Sequence, residues 1–191
     1  MNPEKMTEAL TSALAEAQRI AVTRQHQAVT VAHLFKFLVQ PGELARQLFQ
    51  DAGVDVTALD HELDRELDSI STVTGSGGQY GQEFSRNLTE LLQKADQIRD
   101  AYHDDFMALD TVVLAVMQLN GEALTDYLKQ QGLTEKKLRA AVDDLRGGER
   151  VTSKNQEDQY KALEKYGTDL VKAMRSGKID PIIGRDDEIL S

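Results

Sequence analysis

Part of this chain is written twice. Leu10-Thr11 is echoed by Leu88-Thr89, Ala17 by Ala95 and Ile20 by Ile98, all 78 positions apart. After one inserted residue the spacing becomes 79, pairing Gly53-Val54 with Gly132-Leu133 and Leu59 with Leu138. Each copy is about 65 residues long, and the two fill most of the first 146 positions. A unit repeated in this way exposes an apolar face when alone, so the two copies are expected to pack on each other.

Each copy reads as four helices. Met6, Leu10, Leu14, Ala17 and Ala21 recur at three- and four-residue steps, an amphipathic stripe that runs to about Arg24. Thr30 is placed to cap a second helix carrying Val31, Leu34, Phe35 and Leu38, which ends before Pro41-Gly42. Leu44, Leu48 and Phe49 form a third face closed at Gly53. Asp55 starts a fourth helix through Leu59, Leu63 and Leu67. The second copy repeats the plan, with Leu88, Leu91, Leu92, Ala95 and Ile98 on its first helix. Val112, Val113 and Val116 also suit a buried strand, but alignment with the first copy favours a helix.

Two stretches read as linkers. Residues 69–82 contain Gly75-Ser76-Gly77-Gly78 and join the copies. Residues 147–158 are polar, begin with Gly147-Gly148, and read as a flexible domain boundary. Beyond them Leu163, Tyr166, Leu170 and Met174 share a helical face, and the chain then changes character at Asp180-Pro181-Ile182-Ile183-Gly184-Arg185. The expected division is a helical domain over 1–146, a linker over 147–158 and an incomplete module over 159–191.

Chemistry-bearing patterns are scarce. The chain has no cysteine, which excludes thiol catalysis and zinc–thiolate sites. Its 32 acidic and 22 basic residues give a net charge of −10 without a basic stripe, which disfavours nucleic acid. No run approaches the roughly 18–20 apolar residues of a membrane span, and the start lacks a signal-peptide core. The expected location is the cytoplasm. Gly75 to Gly81 has the wrong spacing for a dinucleotide loop. Ser176-Gly177-Lys178 lacks the earlier glycine of a phosphate loop, where Lys172 stands, and Ile179 replaces the metal-binding hydroxyl. His26, His33, His61 and His103 show no metal-ligand spacing, so His33 is expected to pack between the halves. Asp104-Asp105 is expected to be a solvated loop, and no catalytic residue or metal ligand is assigned.

The duplicated unit, with Thr30-Val31-Ala32-His33-Leu34 opening its second helix, resembles the Clp amino-terminal repeat domain over residues 3–146. The tail is more specific. Residues 157–170, around Ala162-Leu163-Glu164-Lys165-Tyr166, and residues 176–185 look like the start of the first ATPase module of ClpB-type AAA+ disaggregases. ClpA and ClpC relatives share the Asp180-Pro181-Ile182-Ile183-Gly184-Arg185 pattern, but the long Gly/Ser linker favours the ClpB type.

The resemblance implies an all-α fold of two pseudo-symmetric four-helix repeats, followed by a linker helix and a truncated AAA+ segment. It implies recognition of unfolded or aggregated protein clients for ATP-driven disaggregation, with the Hsp70 system as partner. The full-length relatives form homohexamers that use ATP and magnesium; this piece is expected to need no cofactor and to be no enzyme. The alternatives are an adaptor-docking domain of ClpC or ClpA type, and a free-standing interaction module. Thr7, Asp104 and Asp110 match family positions tied to client engagement, although Asp110 stands for a family glutamate and Ala108 for a polar residue. For all three, helix capping or a first-turn charge is the competing structural role. Ile182, Ile183 and Gly184 resemble part of the family's adenine pocket.

Overall fold

A computed structural model of the chain describes residues 3–74 and 79–158. Residues 159–191, with Ile182, Ile183 and Gly184, lie outside the described residues, as does the centre of the glycine–serine linker. The first copy supplies α1 (Glu8–Thr23), α2 (Val31–Leu38), α3 (Leu44–Asp51) and α4 (Val56–Asp68). The second supplies α5 (Arg86–Ala101), α6 (Leu109–Ala115), α7 (Ala123–Gln130) and α8 (Glu135–Arg146).

Capping chemistry fixes where most helices start. Thr7, Thr30, Asp55, Ser85 and Thr134 each stand in extended backbone and accept the amide N–H three residues on. Ala108 precedes α6 and has no side-chain oxygen to offer. The helix ends mirror each other as well. Gln25 and His103 adopt positive φ of 61° and 62° after α1 and α5. Around them His26 N–H bonds Ala21 C=O, and Asp104 N–H bonds Arg99 C=O.

The halves are interleaved rather than stacked. Strand β1 (Ala28–Val29), before α2, pairs in parallel with β2 (Glu83–Phe84), before α5. Reciprocally, Met6 before α1 bridges Met107 before α6. Each copy therefore lends the stub of its first helix to the second helix of the other. Helix α3 also packs on α6 and α8, and a single apolar core runs through both copies. All seven residues of α6 are buried, which is why its valine run also suits a strand. It continues instead as a 3-10 turn over Val116–Gln118.

The segment after α8 departs from the expected flexible linker. Gly147, in the left-handed conformation, ends α8, and the chain then turns back across the helical unit, which extends to Glu157. Val151 is fully buried. Its carbonyl accepts from Asp105 N–H at 2.8 Å, and Lys154 C=O accepts from Glu8 N–H at 2.7 Å. The polar composition of 147–158 concealed this docking. One apolar side chain, main-chain bonds, the Glu157 carboxylate and an Arg150 bond to His103 C=O hold it.

Candidate functional site

At the C-terminal end of α8 the repeat breaks its own pattern. The position of Leu67, a core residue of α4, is taken in the second copy by Arg146. Its guanidinium is buried, with its side chain 3% exposed, and it is held by two acids. Arg146 Nη1 and Nη2 each donate to Asp104 at 2.9 Å. Nε and Nη2 donate to Asp110 at 2.8 and 2.9 Å. The cation also lies 4.3 Å from the ring centroid of Tyr102. Such a group is stable only while every partner is present, since a buried charge without compensation is costly.

Beside this triad the N-terminal ends of α1 and α6 converge on one carboxylate. Glu157 Oε2 accepts from the Thr7 hydroxyl at 3.0 Å and from Leu109 N–H at 2.8 Å. The Thr7 oxygen meanwhile accepts from Leu10 N–H. Because Ala108 cannot cap α6, a residue 48 positions away does so. Both helix dipoles present their positive ends to it. The fit is incomplete, because Glu157 Oε1 is buried with no hydrogen-bond partner. Burial, reinforced by the nearby Asp110 charge, pushes the Glu157 carboxyl up to about 7, against the bonds from Leu109 and Thr7.

Thr7, Asp104 and Asp110 are thus brought together, but inside the molecule. Their exposures are 0%, 3% and 1%. Asp104 is not the solvated loop residue expected beside Asp105; the Arg146 guanidinium and Val151 N–H, at 2.9 Å, hold it inside. With the 149–157 segment in place, none of the three faces solvent. Sequence reasoning missed Arg146 and Glu157. For Arg146 a signal existed, in the cation that replaces Leu67 under the repeat.

The first copy solves the same positions differently. His26 and Ala32 stand where the second copy has Asp104 and Asp110. His33 Nδ1 accepts from Thr30 N–H at 2.9 Å, so the neutral ring carries its proton on Nε2 and donates to His26 Nδ1 at 2.8 Å. Burial first, then the neighbouring His26 and Arg24, lowers the His33 pKa to about 4. The matching face of this copy is an open groove of about 430 Å³ bordered by Thr30, Ser85, Glu66 and Glu122. Burial and the charges of Glu122 and Glu62 push the Glu66 carboxyl up to about 7. A cleft of about 570 Å³, bordered by Met6, Glu8, Thr11, Ser12 and Lys154, adjoins the docked segment. Among the described residues no group of acidic or histidine side chains has metal-binding geometry, and no helix is long and apolar enough to cross a membrane.

Comparison with known proteins gives a consistent picture. The Clp repeat (R) N-terminal domain family matches residues 5–131. The chain is 58% identical over 190 residues to chaperone protein ClpB of Lactiplantibacillus plantarum, covering 100% of this chain and 22% of that protein. It is 54% identical over 189 residues to ClpB of Enterococcus faecalis, with 99% and 22% covered. The chain therefore spans about a fifth of the length of these relatives. Among solved structures, the Hsp104 N-terminal domain of Candida albicans superposes with a TM-score of 0.65 at 18% identity, covering 78% of this chain and 97% of that one. A complex of the ClpV N-domain with a VipB peptide gives 0.58 at 21% identity, with 73% and 86% covered. At those identities the likeness concerns the fold, and it matches the expected double four-helix repeat.

Proposed function

This chain belongs to the Clp repeat (R) N-terminal domain family, and from that premise we propose that it is the client-recognition part of a ClpB-type disaggregase. One observation carries the reading. The ends of α1 and α6 already hold a stretch of polypeptide from the same chain, residues 149–157, which turns at Lys154–Asn155, through main-chain bonds, one apolar side chain and one carboxylate. Such a surface suits clients of unrelated sequence, because every unfolded chain carries the same main-chain groups. The peptide complex of a similarly folded ClpV N-domain supports the reading. Thr7, Asp104 and Asp110 then serve by shaping the helix ends and fixing the triad, not by touching the client while the segment is docked.

The wider setting belongs to the same proposal. The whole protein would be a cytoplasmic homohexamer whose AAA+ modules hydrolyse ATP with magnesium and work with the Hsp70 system. Ile182, Ile183 and Gly184 would contribute to an adenine pocket completed by residues beyond this chain. Breadth of recognition calls for weak binding, with affinities micromolar or weaker, equivalent to about −8 kcal/mol or less favourable. The test is a nuclear magnetic resonance titration of the 191-residue chain with one protein in its permanently unfolded and its native forms. Shifts confined to the unfolded form are expected. Equal shifts with both forms discard the reading.

A further inference from the structure

The segment that covers the proposed client surface is itself built like a client. It is held at several points, among them an Arg150 bond to His103 C=O and Lys154 over the Phe106 ring. The Val151 side chain is buried, and its backbone bonds Asp104 and Asp105. Lys154 C=O accepts from Glu8 N–H. Glu157 reaches the Thr7 hydroxyl and Leu109 N–H. Between these anchors Thr152 and Asn155 face solvent. An apolar side chain, a carbonyl and a carboxylate are groups that an unfolded segment with apolar and acidic residues can offer.

Two further observations make the occupant replaceable. Glu157 Oε1 lies buried without a hydrogen-bond partner, so this anchor also carries a desolvation cost that undocking removes. The cleft of about 570 Å³ shares Glu8 and Lys154 with the segment, so an incoming chain can gain a foothold beside it before any anchor breaks. The pseudo-symmetric face of the first copy adds a control within the molecule. There the groove of about 430 Å³ stands open, so the fold does not need such a groove filled.

We propose that residues 149–157 are a displaceable resident occupant of the client surface, and that an unfolded client segment with apolar and acidic side chains binds by taking their place. The proposal rests on the client-recognition reading and adds its regulation. Client affinity is then reduced by the fraction of molecules in which the strap is docked.

The absence of cysteine permits a direct test. Ser12→Cys and Lys154→Cys, which both line one cleft, are joined by a short reducible cross-linker. Binding of a permanently unfolded, reduced and alkylated protein is measured before and after the linker is cut. Locking should weaken binding by about tenfold or more, and reduction should restore it in the same sample. A second variant, Val151→Asp, should loosen the strap and strengthen binding, with melting curves to show that the helical unit remains folded. Equal or tighter binding in the locked state overturns the proposal while leaving client recognition intact. No binding in either state removes the client-recognition reading, and the proposal with it.

Discussion

Replacing Arg146 with leucine, the residue that the repeat places at position 67, tests how the second copy is held together. The change removes four charge-assisted hydrogen bonds and leaves Asp104 and Asp110 facing each other with side chains 0% and 1% exposed. Breaking a buried pair by deleting one partner costs about 3–5 kcal/mol, because the surviving charge stays desolvated. A domain of this size has roughly 5–15 kcal/mol in total, so the loss is a large fraction of it. With a urea slope of about 2 kcal/mol/M, the unfolding midpoint should fall by roughly 1.5–2.5 M. Adding Asp110→Ala, the counterpart of Ala32, and Asp104→Asn, which can still accept from Val151 N–H, removes the uncompensated charges. The triple variant should recover to within about 2 kcal/mol of the parent. Urea denaturation at pH 7 of the parent, each single variant and the triple gives the coupling energy. A loss below about 1 kcal/mol for Arg146→Leu, or strict additivity across the series, would refute the claim that the triad acts as a unit.

Three further outcomes are expected. Melting curves from pH 4 to 8 should show two opposed trends. The lowered His33 pKa gives stability that is complete above 6.5 and lost as pH falls towards 4, by up to about 3 kcal/mol. The raised Glu157 and Glu66 pKa values give stability that is complete below 4.5 and lost as pH rises through about 7; His33→Asn should weaken the first trend, and Glu157→Gln with Glu66→Gln should abolish the second. Brief trypsin digestion should leave Arg146, Arg150 and Lys154 uncut, because they lie within the docked strap or beneath it; first cuts there, read by mass spectrometry, would restore a boundary at 146. Purified chain should release no phosphate from ATP above the buffer rate, since Lys172 stands where a phosphate loop needs glycine; turnover that follows the protein through purification would contradict this.

The helices and their caps were legible because the repeat supplied two readings of each element. Thr30 and Asp55 cap where periodicity placed them, and the ambiguous valines of α6 were resolved by the aligned Val31–Leu38 segment. The buried polar groups were not legible. Asp104 and Asp110 look like ordinary surface acids until Arg146 is brought to them across 42 and 36 positions, and no local pattern carries that separation. Glu157 meets Thr7 across 150 positions. The strap escaped notice for a related reason. Pattern reading weighs the average polarity of a segment, whereas docking here depends on Val151, Glu157 and a few main-chain groups.

The duplication also explains why, among the described residues, the second-copy face carries an occupant while the first-copy groove stands open. Both copies bring two helix N-termini together, an arrangement that favours a carboxylate. In the second copy Ala108 leaves α6 without its own cap, Arg146 offsets the charges of Asp104 and Asp110, and Glu157 fills the gap. In the first copy Thr30 caps α2 itself, with His33 completing a capping box. Glu66 and Glu122 border the groove, and burial first, then the charges of Glu122 and Glu62, raises the Glu66 carboxyl. Two halves with the same backbone plan thereby differ at 26/104, 30/108, 32/110 and 67/146, where the second copy alone carries the Arg146 triad and leaves α6 to be capped by Glu157.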